Sequence, residues 1–282
     1  MKNDNFKIIV ACHKADPLVR SDELYLPVQV GKALTDIELG FQGDNDGDNI
    51  SDKNRSYCEL TALYWAWKNL PDIAYIGLAH YRRYLSVEFA NCELKDIFSK
   101  VDFLIPYERV LPISNLSHLQ ELLSAEDVCI MLDSLIELYP EMTQSVLDYF
   151  YNSNRYSLFN MFVTTRASLD AYCSFLFPLL GYIEKRLGYH SYSRLTRSIG
   201  YMAEAILGLW LLHNRLRVKR VYCEFDGRRM TLSLKNRIKQ YKDRLAFRLA
   251  KTRKSRIPCF YAAVINALNA DGVAIRNLKA YN

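Results

Sequence analysis

A cluster of side chains suited to binding anions follows a short apolar segment near the start of the chain. Residues 73–79 are apolar and bounded by turn signals, which predicts a buried strand of a parallel sheet. The strand is followed directly by His80, Tyr81, Arg82, Arg83 and Tyr84. Ligands of open α/β sheets bind beyond the carboxyl ends of strands, and arginine presents a fork of donors that matches phosphate oxygens. The cluster therefore predicts an anion clamp; the alternative is that an arginine pairs with a carboxylate while the tyrosines fill the core.

A helix is predicted immediately before this strand, over residues 57–69. Ser56 and Glu59 have the S-x-x-E spacing of a capping box. Apolar residues then recur at helical spacing on one face, and Pro71 ends the helix because proline cannot continue it. Helix and strand together would carry the cationic cluster to the edge of a sheet.

The first predicted strand, Phe6 to Cys12, ends in two further polar residues, His13 and Lys14. In mononucleotide-binding sheets this position usually contacts the base and ribose, so both residues are candidates for nucleotide binding. A simple surface position for His13 is an equal alternative.

Residues 41–55 form a polar loop by composition. Asp44, Asp46 and Asp48 alternate as in a calcium loop, but Asn49 stands where the glycine is needed and Arg55 where the bidentate glutamate is needed. The pattern therefore excludes an EF-hand. Two interpretations remain, a solvated polar loop and a loop that binds a ligand just before the helix.

Two polar residues stand out within later apolar segments. Asn160 lies inside a strand predicted over residues 156–164, where its buried amide must cap local backbone or bind a ligand hydroxyl. Glu204 lies in an apolar helix predicted over residues 200–212, which makes it a candidate general base. The alternative for Glu204 is a salt bridge with Arg194 or Arg197.

The remaining segments alternate between helices and strands. Strands are predicted over residues 101–106 and 218–225, helices over 124–139, 141–151 and 168–186, and irregular structure over 107–124.

Composition indicates an ordinary globular protein, with 50% hydrophobic and 24% charged residues. The seven cysteines are scattered without a C-x-x-C pair, which favours reduced thiols in the cytosol over a disulfide framework or zinc site. We expect no signal peptide, and the longest apolar run, residues 205–212, falls far short of the ~20 residues of a membrane span.

The positive charge is concentrated at the end of the chain. Residues 227–282 contain 14 Lys/Arg and two Asp, a net of +12, whereas the rest of the chain carries −6. Within this tail a single helical face consists of Leu234, Ile238, Tyr241, Leu245 and Leu249. Basic residues around that face predict an amphipathic helix suited to an anionic bilayer surface. Nucleic acid is the rival partner, but no nucleic-acid motif accompanies the helix.

Four blocks of the sequence resemble the signature of a bacterial glycosyltransferase family that was long known only as a domain of unknown function. The blocks are Asp48–Ser51 with Asn54, Glu59–Asn69, Gly77–Tyr84 and Phe159–Phe162. Members of that family belong to capsular, exopolysaccharide and lipopolysaccharide gene clusters, and characterised relatives include galactofuranosyltransferases. The resemblance covers residues 6–225 and leaves the tail outside.

The resemblance implies an α/β, GT-A-like fold with a mostly parallel central sheet flanked by helices, a nucleotide-diphosphosugar donor and inverting transfer. Many GT-A enzymes place a metal-binding Asp-x-Asp pair where this chain has His80-Tyr81-Arg82. We infer that cationic side chains neutralise the diphosphate in place of Mn²⁺ or Mg²⁺. Asn160 matches a position that commonly touches the donor sugar, and Glu204 matches the late acidic residue where inverting enzymes place their base.

Together these observations predict a glycosyltransferase domain over residues 1–226 and a basic helical tail over residues 227–282. Glu204 would be the base, while Arg82, Arg83 and His80 would stabilise the leaving group. The UDP-sugar donor would be bound by seven residues: His13, Lys14, Asp48, Asn49, Asn54, Tyr81 and Asn160. The expected acceptor is a lipid-linked glycan at the inner face of the cell membrane, with no metal and no nucleic-acid partner. A non-catalytic module that binds nucleotide sugars is the main competing hypothesis.

Overall fold

The computed structural model describes residues 5–87, 94–188, 196–229, 233–251 and 260–278. The chain forms two compact units. The first comprises Met1–Glu108, Ser157–Phe175 and Asn214–Thr231. The second comprises Arg109–Tyr156, Leu176–His213 and Leu232–Asn282. The predicted boundary between a catalytic domain and a tail at residues 226 and 227 stays a prediction.

The strands are short, as expected for segments bounded by turns. In chain order they are β1 (Phe6–Cys12), β2 (Tyr25–Gln29), β3 (Gln42–Gly43), β4 (Tyr75–His80), β5 (Arg83–Leu85), β6 (Phe103–Pro106), β7 (Arg109–Val110), β8 (Arg155–Tyr156), β9 (Phe162–Thr165), β10 (Val218–Val221), β11 (Cys223–Phe225) and β12 (Arg228–Arg229).

The helices are α1 (Asn54–Tyr57), α2 (Leu60–Asn69), α3 (Leu94–Lys100), α4 (Asn115–Leu122), α5 (Ala125–Leu138), α6 (Thr143–Val146), α7 (Arg166–Leu187), α8 (Ser198–His213), α9 (Leu234–Lys251) and α10 (Phe260–Ala270). A 3₁₀ turn (Pro140–Met142) and a π turn (Leu147–Tyr151) flank α6, so the helix predicted over residues 141–151 is present in three short pieces.

The main sheet lies in the first unit and has the strand order β10-β6-β9-β4-β1-β2-β3. β1 is parallel to β2 and β4, β2 is parallel to β3, and β6 is parallel to β10. Only β9 on this path runs antiparallel, and it pairs with both β4 and β6. The prediction of an α/β fold with a mostly parallel central sheet is thus confirmed.

Burial explains why β1 and β4 lie at the centre of this sheet. Apart from Lys7, β1 is apolar, and Ile9, Val10 and Cys12 are fully buried. Strands covered on both faces show such continuous apolar runs. Within β4, a Cβ atom at Gly77 would lie 2.8 Å from Cγ2 of Val163 and 2.9 Å from the carbonyl oxygen of Phe162. A glycine is therefore required where β4 and β9 approach each other.

A tight hairpin turns the chain back after β4. His80 pairs with Arg83, so Tyr81 and Arg82 occupy the turn, and β5 then runs antiparallel to β11. β11 in turn pairs with β12. The single strand predicted over residues 218–225 is therefore two strands, β10 and β11. The second of them pairs with β5, the returning strand of the hairpin.

The predicted capping box at Ser56 and Glu59 is wrong. α2 begins at Leu60, and the side chain of Glu59 makes no cap hydrogen bond. Cys58 has a φ of 53°, which interrupts the helix between α1 and α2. The carboxylate of Glu59 instead accepts a hydrogen bond from Asn160, far along the chain.

Two other segments differ from the sequence predictions. The strand predicted over residues 156–164 is interrupted, because Phe159 and Asn160 adopt φ values of 69° and 51° and form a turn before β9. Residues 107–124, predicted as irregular, contain β7 and α4. The Ser114 hydroxyl caps α4 by accepting from the backbone N–H of Ser117.

The second unit is mainly helical. α5 begins as predicted after Ser124, whose hydroxyl accepts from the backbone N–H of Asp127. Further along α5, Asp133 is fully buried and pairs with Arg186 at 2.6 Å. Its other oxygen accepts the backbone N–H groups of Arg276 and Asn277, so the end of the described chain is attached to α5. Among the described helices, none is long and apolar enough to cross a bilayer.

Candidate active site

Polar side chains meet at the carboxyl ends of β1 and β4, as the parallel pairing requires. Ala11 lies opposite His80 in the register, so the residues that follow both strands share one sheet edge. The ring of Tyr81 packs edge-on against His13 with centroids 5.0 Å apart, and Nζ of Lys14 lies 5.8 Å from the Tyr81 centroid. The structure thus brings His13 and Lys14 beside the cationic cluster predicted from the sequence.

Arg82 is engaged by two carboxylates of the first unit. Its Nε donates to Oδ2 of Asp16 at 2.8 Å and lies 3.5 Å from Oδ1 of Asp226. The pKa of Asp16 is lowered, first by the hydrogen bond from the backbone N–H of Leu18 and then by the guanidinium of Arg82. The bond to Asp16 likewise raises the pKa of Arg82. The pairing alternative considered from the sequence therefore holds for Arg82.

Arg83 has a different environment. Its guanidinium carbon lies 4.3 Å from the ring centroid of Phe159 and 5.1 Å from that of Phe225, so two aromatic faces hold it. Its Nε is buried and has no hydrogen-bond acceptor within the described chain. No ion pair involves Arg83 among the described residues. A held guanidinium with an unmatched donor can bind an anion without first breaking a salt bridge.

The turn formed by Phe159, which contacts Arg83, and Asn160 is held by two hydrogen bonds. Nε2 of His80 lies 2.7 Å from the carbonyl oxygen of Phe159, a hydrogen bond in which the imidazole is the donor. The side-chain amide of Asn160 donates to Oε1 of Glu59 at 2.6 Å, and both residues are buried. Glu59 thus fixes the orientation of Asn160, and His80 fixes the turn itself.

Glu59 is a site residue that sequence reasoning missed. The spacing of Ser56 and Glu59 predicts a helix cap. A carboxylate engaged in such a cap is not a candidate for binding or catalysis, so Glu59 was not among the predicted site residues. The available signal was that Glu59 and Asn160 are both polar residues in segments whose neighbours are apolar. Two such residues need partners when buried, and here the side-chain amide of Asn160 donates to Glu59.

The aspartates of the loop over residues 41–55 hold the loop together. Asp44 is fully buried and accepts from the backbone N–H groups of Gly31 and Lys32. Asp46 accepts from the indole N–H of Trp65 at 2.6 Å, and Asp48 accepts from the hydroxyl of Tyr64 at 3.0 Å.

The other candidates in this loop also make local contacts. Asn49 donates to the Gly47 carbonyl and accepts from the backbone N–H of Ser51. Asn54 donates to the Cys58 carbonyl at 2.7 Å and so supports the break before α2. Donor binding by Asp48, Asn49 and Asn54 stays a prediction.

The end of β4 does not offer the donor set of a divalent cation. His80, Tyr81 and Arg82 stand there, and two of these side chains are engaged with Phe159 and Asp16. Within the described ranges, no group of three or more His, Cys, Asp or Glu side chains converges as metal ligands. Mg²⁺ and Mn²⁺ prefer carboxylate and other oxygen ligands. Independence of a divalent cation stays a prediction.

Glu204 belongs to the second unit, on α8. The residues around it on this helix are buried, whereas Glu204 is half-buried. Its charge helps to raise the pKa of Tyr156, although burial of that phenol is the larger cause. Of the two arginines proposed as partners of Glu204, Arg194 lies outside the described residues. The role of Glu204 as base stays a prediction.

Comparison with known proteins decides the family. Residues 7–215 match the family described as Domain of unknown function (DUF4422), which is most of the chain. The chain belongs to the DUF4422 family. No curated protein matches it.

One solved structure connects this DUF4422 chain with glycosyl transfer. The apo structure of the bifunctional glycosyltransferase WbbM is similar to it, with a TM-score of 0.71 and 26% sequence identity. The similarity covers 80% of this chain but 46% of that structure, so this chain spans about half the length of its neighbour. The GT-A-like fold class predicted from the sequence is confirmed by this similarity.

The DUF4422 match does not include the last three strands of the first unit. It ends at Arg215, before β10, β11 and β12. Phe225 and Asp226, which contact Arg83 and Arg82, therefore lie beyond the matched region. The environment of both arginines is completed by a segment that the family match does not include.

Proposed function

We propose that the protein is an inverting glycosyltransferase that moves a hexose, galactofuranose or galactose, from a UDP-sugar to a growing capsular, exopolysaccharide or O-antigen glycan. The observation that carries this proposal is Arg83, a cation held by two aromatic rings with a buried, unmatched donor at the end of the central sheet. The similarity to WbbM supports glycosyl transfer as the type of reaction.

In the proposed reaction the acceptor hydroxyl oxygen attacks the anomeric carbon while the bond from that carbon to the diphosphate oxygen breaks. Glu204 takes the hydroxyl proton, and UDP leaves with the bonding electrons. Arg83 stabilises the negative charge that develops on the departing diphosphate, with Arg82 and His80 in supporting roles. Preorganised charges of this kind need no rearrangement at the moment of reaction, so they act on the transition state.

The other candidates position the donor. Tyr81, His13 and Lys14 lie together where β1 and β4 end, a place suited to the nucleoside. Asn160 would bind a sugar hydroxyl through its carbonyl, since its amide donates to Glu59. Asp48, Asn49 and Asn54 would hold the remaining part of the donor through the loop.

The first expected result is donor-dependent chemistry. In a panel of UDP-sugars that includes UDP-galactofuranose, one donor should raise the melting temperature of the full chain and release UDP on incubation. Ligands that bind only the folded state stabilise it in proportion to the logarithm of their concentration. A non-catalytic binding module, the competing hypothesis, would show the thermal shift and release no UDP.

We further propose that turnover does not require a divalent cation. The strand end carries cationic side chains at the place where a metal-dependent enzyme of this fold would need carboxylates. UDP release should therefore persist in excess EDTA. Complete loss of activity with EDTA, followed by recovery with Mn²⁺, would show that carboxylates elsewhere bind a metal and would contradict this proposal.

The acceptor that we propose is a lipid-linked glycan at the cytoplasmic face of the cell membrane. The support is the resemblance to polysaccharide-cluster enzymes together with the basic tail, whose residues 227–282 carry a net charge of +12. Nucleic acid is not a proposed partner.

A further inference from the structure

The tail helix α9 exposes its apolar face to solvent. Five large side chains on that face are between 48% and 74% exposed; they are Leu234, Ile238, Tyr241, Leu245 and Leu249. The helix contains 18 residues, about 27 Å at 1.5 Å per residue. An exposed apolar face of this kind is a candidate site for binding another molecule.

The helix faces its own unit with a different side. Gln240, Asp243 and Phe247 are its half-buried residues, and their spacing of three and four places them on one face. With 100° between successive residues, this face lies opposite the apolar one. β7 of the same unit lies against α9. The apolar face is therefore not the surface with which α9 packs against the protein.

The basic residues of α9 lie on both sides of its apolar face. Basic residues flank the apolar face on both sides: Lys235, Lys239 and Lys242 on one, and Arg237, Arg244 and Arg248 on the other. The acidic residue of this helix, Asp243, is on the side turned towards the protein. Long basic side chains beside an apolar face can reach lipid phosphates while the apolar residues enter the bilayer boundary.

We propose that α9 is an in-plane docking helix for an anionic bilayer, inserted through its Leu/Ile/Tyr face. Two flanking rows of positive charge complement lipid phosphates. They oppose a second copy on the same face, because its equivalent rows would meet them with like charge. Nucleic acid would use the charges but would leave the five apolar side chains in water. This proposal does not depend on the glycosyl-transfer reaction.

The rest of the tail explains why point variants test this proposal better than deletion. Leu268 of α10 is fully buried, and Asp133 of α5 accepts backbone N–H groups from Arg276 and Asn277. Removing all residues after Gly227 would strip these contacts from the second unit. Loss of membrane binding in such a truncated protein would not distinguish docking from unfolding.

The experiment is sedimentation of the full chain with vesicles of phosphatidylcholine alone or of phosphatidylcholine with phosphatidylglycerol. The double variant Ile238→Ser/Leu245→Ser should lower the partition coefficient on anionic vesicles by about tenfold or more, since two apolar anchors are lost. The matched control is Leu34→Ser/Ile37→Ser, which changes an exposed leucine and isoleucine of the first unit, and it should bind like the wild type.

Three outcomes would overturn the proposal. The wild type could fail to sediment with anionic vesicles, the Ile238/Leu245 variant could bind as well as the wild type, or the control could lose binding equally. Light scattering adds a further check: a dimer of the wild type that the Ile238/Leu245 variant dissociates would identify a second copy as the occupant. UDP release measured on the same preparations should be equal in all three proteins, so membrane docking and catalysis are judged separately.

Discussion

Glu204→Gln should retain donor affinity while glycosyl transfer falls by about 10²-fold to 10⁴-fold, the usual contribution of a general base. The amide keeps the shape of the carboxylate and much of its hydrogen-bonding capacity, but it cannot take the proton of the acceptor hydroxyl. The residues around Glu204 on α8 are buried, so the side chain is held on a well-packed helix. Melting temperature, affinity for the UDP-sugar and transfer rate should be measured on one preparation.

Glu126→Gln is the matched control, because Glu126 is a half-buried carboxylate of the same unit on α5. It should leave transfer unchanged. A purely structural Glu204 predicts another pattern, in which the glutamine variant melts earlier and keeps its turnover per folded molecule. A stable Glu204→Gln protein with full transfer activity would remove this residue from the mechanism.

The second large effect is expected at Arg83. Arg83→Ala should lower turnover by about 10²-fold or more, because a preorganised group that stabilises transition-state charge is lost. Arg83→Lys should restore a part of the activity, since lysine supplies the charge without the fork and cannot stack on Phe159 and Phe225 in the same way. Steady-state kinetics with the donor identified by the UDP-release screen measures both variants.

Arg82→Ala provides the comparison, because Arg82 is already paired with Asp16 and Asp226. Its removal should lower turnover less than removal of Arg83 does. Arg20→Ala is the control for loss of a nearby cation, since Arg20 is paired with Glu224 on β11. Near-normal kinetics in Arg83→Ala, or a larger loss in Arg82→Ala, would contradict the assignment of Arg83 as the principal diphosphate ligand.

The sequence was sufficient where short-range chemistry decides the structure. β1 has the predicted bounds because a run that is apolar apart from Lys7 ends at the polar residues His13 and Lys14. α5 begins after Ser124 because that hydroxyl caps its first turn. His13 meets the cluster after β4 because β1 and β4 are parallel neighbours that end at the same edge, and the sequence alone did not predict that pairing.

The failures around Glu59 and Asn160 share one physical cause. Cys58, Phe159 and Asn160 adopt positive φ without being glycine, so the usual turn signals are missing from the sequence. Long-range hydrogen bonds hold the turn, from Asn160 to Glu59 and from His80 to the Phe159 carbonyl. Likewise, the difference between Arg82 and Arg83 depends on Phe225 and Asp226, which pattern reading along the chain could not place beside them.

The strands beyond Arg215 have a consequence for handling the protein. A fragment cut where the family match ends would lack β10, the parallel partner of β6. The residues of β6, Phe103–Pro106, are all buried, so the cut would leave an apolar strand with a free row of backbone donors and acceptors. Unprotected edges of this kind pair with other chains and cause aggregation. β10 therefore protects the edge of β6 from pairing with other chains. A fragment without these strands would also lose Phe225 of β11, whose ring contacts Arg83.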